Sequence, residues 1–202
     1  MRKKILVCRY GVRTVDKKEK WILSTERLYL REMNDDDFKA LCKIMQDEET
    51  MYAYEGAFTD EEVHTWLERQ KTRYEKDGFG LWAVCLKCND EMIGQCGTTI
   101  QNINGTLAPE IGYLFQKAFW HQGYASEAAA GCREYAFQEL HLSEICSIIR
   151  DTNLASQNVA KRNGMTVKKQ FVKHYRGVDI LHYVYKISGD EWTQLKTEKT
   201  KE

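Results

Sequence analysis

One stretch of this 202-residue chain constrains its fold more than any other: Glu110-Ile-Gly-Tyr-Leu-Phe-Gln-Lys-Ala-Phe-Trp-His-Gln-Gly-Tyr-Ala-Ser-Glu127. It reads as a strand, a loop, then a helix that opens on Gly123-x-Ala125. A strand-to-helix junction of this kind aims several backbone N–H groups and the positive end of a helix dipole at one point. Such a point is a seat for a pyrophosphate. A Walker-type phosphate loop needs a Gly-Lys-Ser/Thr ending, and Gln122-Gly123-Tyr124 is not one.

The elements around this junction follow from local signals. Leu28-Tyr29-Leu30 reads as the first core strand. Asn34 is placed to cap a helix with Asp35, Asp36 and Asp37 in its first turn, where carboxylates suit the dipole. Phe38, Leu41, Cys42, Ile44 and Met45 supply its apolar stripe. Thr59-x-x-Glu62 is a capping-box signature for a second helix, buried through Val63, Trp66, Leu67 and Tyr74 and stopped at Gly78. Leu81 to Lys87 and Met92 to Ile100 predict a hairpin, and Pro109 sits just before a strand over Glu110–Phe115. The helix Tyr124–Leu140 is rich in small residues, which lets it lie close to a sheet. A strand over Ile145–Ile149, a short helix from about Ser156 to Asn163, two strands flanking Arg176-Gly177 and a terminal helix capped by Ser188-x-x-Glu191 complete the order. One helical crossover among strands mostly adjacent in sequence predicts an α+β fold with a mixed sheet of about six to seven strands and about four helices.

Composition narrows the partners. Thirty basic and thirty acidic residues balance, so neither nucleic acid nor an anionic membrane surface is indicated. The balance is local, however: residues 1–31 carry ten Lys/Arg and three Asp/Glu, whereas residues 34–62 carry ten Asp/Glu and two Lys. The first block suits a solvated face or an anion-binding lip, the second a solvated face or a collar for a cationic substrate. Seven cysteines without framework spacing point to a reducing, cytoplasmic setting. Cys85-x-x-Cys88 lacks a second ligand pair, so the expectation is a structural role and no metal.

Trp120-His121-Gln122-Gly123-Tyr124-Ala125-Ser126-Glu127-Ala128 resembles the acetyl-CoA pyrophosphate loop of the GNAT superfamily of N-acetyltransferases, and more narrowly its RimJ/RimL-like, ribosomal-protein-alanine subgroup. Asn153-Leu154-Ala155-Ser156-Gln157-Asn158-Val159-Ala160-Lys161-Arg162-Asn163-Gly164-Met165 resembles the same subgroup, as does the opening Thr25-Glu26-Arg27-Leu28-x-Leu30-Arg31. The similarity covers roughly residues 24–187; residues 1–23 fall outside as an extension able to add a strand, and 188–202 as a tail or short helix.

The resemblance implies a centrally splayed sheet in which the strand bearing Glu110–Phe115 parts from that bearing Ile145–Arg150, with the pantetheine arm of acetyl-CoA filling the gap. The implied cofactor contacts are the amides of Leu114, Phe115 and Gln116 for pantetheine and those of Gln122, Gly123, Tyr124, Ala125 and Ser126 for pyrophosphate. Asn153 and Asn158 are to bond the cofactor's amides or wall it in. The implied activity is direct transfer of acetyl to a primary amine in a ternary complex, the amine belonging to a protein N-terminus or a small molecule. No cysteine is then needed as nucleophile. Glu110 matches a general-base position, often acting through water, and a pKa near 7 would suit that task; the alternative is a solvent-exposed strand-end glutamate. Ser156 matches a general acid, or is merely the cap of the short helix. The position where many relatives carry a tyrosine acid is about Ala160, which lowers the expectation of a polyamine substrate. Tyr52, Tyr54 and Glu55, between the first two helices, are expected to wall the acceptor. A CoA-binding or catalytically silent regulatory module is the rival class, and a monomer or homodimer is expected.

Overall fold

The computed structural model describes residues 21–175 and 177–199. The first twenty residues, to which most of the N-terminal extension and much of the basic block belong, lie outside the described residues. The chain runs β1 (Leu23–Ser24), β2 (Leu28–Arg31), α1 (Phe38–Met45), α2 (Asp60–Asp77), β3 (Leu81–Leu86), β4 (Met92–Ile103), β5 (Thr106–Phe115), α3 (Tyr124–Gln138), β6 (Glu144–Arg150), α4 (Leu154–Arg162), β7 (Thr166–Tyr175), β8 (Val178–Ser188) and α5 (Gly189–Lys199). The eight strands form one open mixed sheet in the order β1-β2-β3-β4-β5-β6-β8-β7. The expected α+β class holds, with the two-residue β1 and the packed α5 lifting the counts to eight strands and five α-helices among the described residues.

Alternation along the strands builds a core on each face of the sheet. Leu28, Leu30, Trp82 and Val84 point toward α3, meeting Ala128, Ala129, Cys132 and Ala136. Tyr29, Ala83 and Cys85 point the other way, toward Leu41, Ile44 and Met45 of α1 and Val63, Trp66 and Leu67 of α2. The small residues of α3 do allow close approach: a Cβ at Gly131 would sit 3.0 Å or less from Thr25 and Leu23 side-chain carbons. The local caps form as their sequences dictate. Asn34 and Thr59 each close a capping box, though Asp35–Asp37 is a 3-10 turn and α1 proper begins at Phe38. Ser188 and Glu191 exchange the same reciprocal bonds at the head of α5, and Trp192 stacks on Phe137 at 5.0 Å.

Two boundaries near the site differ from the sequence reading in a way that matters for it. β5 starts at Thr106, so Pro109 lies inside a strand. It is tolerated because the β6 side of β5 is unpaired there, so the missing N–H removes no ladder bond on that side. α4 starts at Leu154 because Asn153 takes the cap position, accepting the Ser156 N–H at 3.0 Å.

The feature that positions the site is the junction of β5 and β6. They run parallel, and their ladder consists of the single pairing Glu110↔Cys146. On its other side β5 pairs with β4 all the way from Ile103↔Thr106 to Gly94↔Phe115. Beyond the lone rung, side chains replace the ladder: Ser147 Oγ donates to Ile111 O at 2.8 Å, and the Ile148 N–H donates to Glu110 Oε1 at 3.0 Å. The strands then part.

Candidate active site

The parting strands open a cleft of about 570 Å³. Glu110, Leu114, Ser147, Ile148 and Arg150 line it from the sheet, Asn153 and Ser156 from the head of α4, and Tyr54, Trp66, Arg69 and Arg73 from the α1–α2 layer. Register decides which backbone groups face the gap. The Gln116 N–H donates to Ile93 O at 2.9 Å, which makes 116 and 93 a hydrogen-bonded antiparallel pair. By parity, Leu114 opposite Gln95 also directs its N–H and C=O toward β4, whereas Tyr113 and Phe115 direct theirs toward β6. Of the three amides named from sequence, that of Phe115 faces the gap and those of Leu114 and Gln116 face β4, while Tyr113, which was not named, also faces the gap. Gln116 is spent on the fold altogether, since its Nε2 donates to Met92 O at 2.7 Å.

Gly123 is the N-cap of α3 at φ 82°, a left-handed conformation that costs a residue bearing a Cβ. No side chain caps this helix, so the first-turn amides at Tyr124, Ala125 and Ser126 are left for another acceptor. The loop is exposed at Gln122 and Gly123 and half-buried at Tyr124–Ser126. Its shape is held from the turn between β1 and β2. Arg27 donates to Gln122 O at 2.9 Å, lies 4.2 Å from the centre of the Tyr124 ring and pairs with Glu127 at 2.6 Å. Thr25 Oγ1 also donates to Glu127 at 2.6 Å. Burial works against this carboxylate, yet the Thr25 hydroxyl and the Arg27 amide and guanidinium together hold its pKa below the usual range. Glu127 is thereby neutralised beside a helix terminus suited to an anion. Thr25-x-Arg27 was legible only as a piece of a familiar block, not as the support of the loop.

Glu110 is half-buried on the cleft wall. Burial raises its carboxyl pKa, and the Ile148 N–H, Lys173, Arg73 and Gln101 pull it partly back. Ser156 sits in the first turn of α4, so the capping role belongs to Asn153. The Tyr113 hydroxyl donates to Ser156 O at 3.0 Å, and burial pushes its pKa up, so the phenol stays protonated. Asn158 is exposed on α4. His182 lines the same cleft; its Nδ1 lies 3.0 Å from Ile180 O, and burial lowers its pKa, so the ring is neutral near pH 7. The buried thiols of Cys132 and Cys146 are held protonated, Cys146 being pushed up to about 12 by burial and the neighbouring Glu110.

The α1–α2 connector reaches across the cleft mouth. Glu55 pairs with Arg150 at 2.5 Å, and the same guanidinium nitrogen donates to Tyr52 O at 3.1 Å. Tyr52 is exposed, whereas Tyr54 packs edge-on against Phe58 and Trp66 to form an aromatic wall. The acidic block does not form a collar. Asp37 takes Arg31, Asp35 takes Lys71, Glu49 takes Lys117, Asp47 holds Thr50, and Glu62 caps α2. Glu61 and Glu62 of the block do line the cleft, and with them it receives Arg69, Arg73 and Lys173, which sequence reasoning missed. The available signal was their place on the helical stripe three and seven residues beyond Trp66.

Comparison with known proteins agrees with this architecture. Residues 27–166 match the family model "Acetyltransferase (GNAT) domain". The chain is 31% identical over 175 residues to the uncharacterized N-acetyltransferase YnaD of Bacillus subtilis, covering 84% of this chain and 98% of that one. A GNAT-family acetyltransferase structure from Bacillus anthracis superposes with a TM-score of 0.71 at 25% identity, covering 83% of this chain and 98% of that one. The ribosomal L7/L12 alpha-N-protein acetyltransferase RimL in complex with coenzyme A shares the fold, with a TM-score of 0.65 at 20% identity and coverage of 83% and 97%. The chain belongs to the GNAT acetyltransferase family.

Proposed function

We propose that this protein is an acetyl-CoA-dependent N-acetyltransferase that acetylates a primary amine directly in a ternary complex. One observation carries the reading: β5 parts from β6 beyond a single rung and leads on to an α3 terminus that no side chain caps, with a carboxyl group of raised pKa on the cleft wall. The residues fit the co-substrate. The amides of Gln122 through Ser126 offer donors to a pyrophosphate, with Gly123 supplying the turn. The gap-facing backbone of Tyr113 and the Phe115 N–H offer the bonds that a neighbouring strand would make, and so suit the amides of a pantetheine arm; the Phe115 C=O already accepts from Trp120 Nε1 at 2.9 Å. Asn153 lines the cleft at the head of α4, and Asn158, exposed on that helix, is assigned to the outer part of the cofactor. A relative of the same fold carries coenzyme A, which supports the assignment.

Acetyl-CoA supplies the activated thioester. Glu110 accepts the proton that the attacking amine must lose, directly or through a water, and its raised pKa brings it toward the working range of a general base. A backbone N–H on the open edge of β5 stabilises the oxygen that gains charge. Ser156, at the head of α4, supplies a proton to the leaving sulfur, with the protonated Tyr113 hydroxyl beside it. The high pKa values of the buried thiols support a route without an acyl-enzyme. Tyr54 and the connector bearing Tyr52 and Glu55 border the acceptor's entry. Acetyl-CoA turnover against an amine panel tests the reading. The expected result is acceptor-dependent thiol release that Ser156→Ala slows with little change in the KM for acetyl-CoA. A thermal shift with acetyl-CoA but no turnover with any amine would replace it with a CoA-binding module.

A further inference from the structure

The inner stripe of α2 carries a chemistry that the acetyl-transfer reading does not use. Thr65, Trp66, Arg69 and Arg73 all line the cleft. Arg69 and Arg73 are four residues apart, so their side chains rise from the same helix face. Arg27, Arg31, Arg133 and Arg150 each hold a carboxylate of the protein itself. Arg69 and Arg73 hold none among the described residues. The Arg69 guanidinium lies 5.7 Å from the centre of the Trp66 ring, and Arg73 Nη1 donates to the neutral Gln70 Oε1 at 3.1 Å. Arg69 is exposed and Arg73 half-buried; burial and Arg69 disfavour the Arg73 charge, while Asp77 and Glu110 attract it through space without an ion pair. Lys173 of β7 brings a third cation to the same cleft.

Two adjacent guanidinium groups, one drawn partly out of water and neither matched by a carboxylate, form an arrangement that a bound anion stabilises. The carboxylates on this lining do not meet that need. Glu62 is committed to capping α2, and Glu61 lies two helical turns before Arg69. Glu110 attracts Arg73 through space, but its Oε1 is committed to the Ile148 N–H.

We propose that Arg69 and Arg73 recognise a carboxylate on the acceptor itself, so that the substrate is a primary amine bearing a carboxylate and not a polycation. The amine then faces Glu110 and the thioester, while the carboxylate docks against the planar guanidinium forks, a geometry that lysines match less well. This assignment rests on the acetyltransferase reading for the direction in which the amine points.

Binding to the CoA-loaded protein tests it without requiring turnover. Matched probes differing only in charge are titrated by calorimetry: β-alanine and 4-aminobutyrate against their carboxamides, and the dipeptide amides Ala-Asp against Ala-Asn. The expected result is at least tenfold tighter binding of the carboxylate member in one or both sets, with the set that responds showing whether a free amino acid or a peptide carries the group. In R69Q/R73Q the preference falls to within twofold while coenzyme A affinity is retained, and Arg73→Lys keeps part of it. Equal affinity within every pair, tighter binding of the carboxamides, or binding of no carboxylate probe overturns the proposal, and the wild-type pairs decide even if the double variant does not fold. Failure of the acetyltransferase reading shows separately, as absent coenzyme A binding or absent acetyl transfer to probes that do bind.

Discussion

Replacing Glu110 with glutamine separates a working carboxylate from a structural one. The amide keeps an oxygen where Ile148 donates its N–H at 3.0 Å, so the bond that bridges the parting strands survives. What disappears is the negative charge, and in the folded protein that charge is the penalised form, because burial raises the pKa against the opposing pull of Ile148, Lys173, Arg73 and Gln101. The sign follows from linkage. A carboxyl whose folded pKa exceeds its unfolded value of about 4.3 incurs no penalty below both values. The penalty grows as pH rises from the unfolded to the folded pKa and is complete above it. E110Q therefore unfolds in urea at pH 8 no more readily than wild type, and the two converge near pH 4. Activity moves the other way: loss of a general base costs about 10²–10⁴ in kcat/KM, or roughly 2.7–5.4 kcal/mol of barrier. Initial rates of thiol release across pH 5.5–9 read this directly, with the acid limb of wild type absent in the variant. Rates within threefold of wild type would refute the base assignment. A variant more than about 1 kcal/mol less stable at pH 8 would refute the account of the charge, since that is the size of one lost hydrogen bond.

Gly123→Ala forces a Cβ into φ 82°, a strain of about 1–2 kcal/mol, and brings it 3.4 Å from Arg27 Nη2; the KM for acetyl-CoA rises severalfold while the KM for the amine holds, and the opposite split removes the pyrophosphate seat from this loop. Ser147→Ala leaves Ile111 O without its buried donor and costs about 1 kcal/mol in denaturant midpoint. The depressed pKa of Glu127 gives stability that is present above the unfolded value of about 4.3 and lost as pH falls through the folded one. Arg27→Ala accordingly lowers stability at pH 7 by less than about 1 kcal/mol, because the guanidinium is partly exposed, and the gap closes in acid; a gap independent of pH counts against the pairing.

Local devices were legible and parity was not. Thr59 with Glu62, Ser188 with Glu191 and the stops at Gly78 and Gly164 announce themselves within a few residues, because each satisfies donors or acceptors only three or four positions away. Gly123 stood out for the same reason. Which amides of β5 face the cleft depends on the register against β4, set by contacts some twenty residues distant, so the sequence could name Leu114 and Gln116 but not tell that they turn toward β4 while Tyr113 turns toward the gap. Ser156 looked like a cap until Asn153, three residues earlier, proved to accept its N–H. Arg69 and Arg73 share a helical stripe with Trp66, but that this stripe lines a cleft emerges only when α2 lies across the parting strands. The acidic block read equally as a solvated face or a collar, because a count of residues cannot register that several of its charges are taken by caps and ion pairs.

A strand left without a neighbour is ordinarily an adhesive rim, open to any other chain that can extend alongside it. Here the rims of β5 and β6 face each other inside a wedge whose apex is the single rung at Glu110 and Cys146. A foreign strand would have to fit lengthwise between two walls that converge to ordinary sheet spacing within a few residues. A thin, flexible chain with a few amides along it can enter where a polypeptide with side chains cannot. The same geometry that opens the molecule to its ligand thus shields it from its own kind.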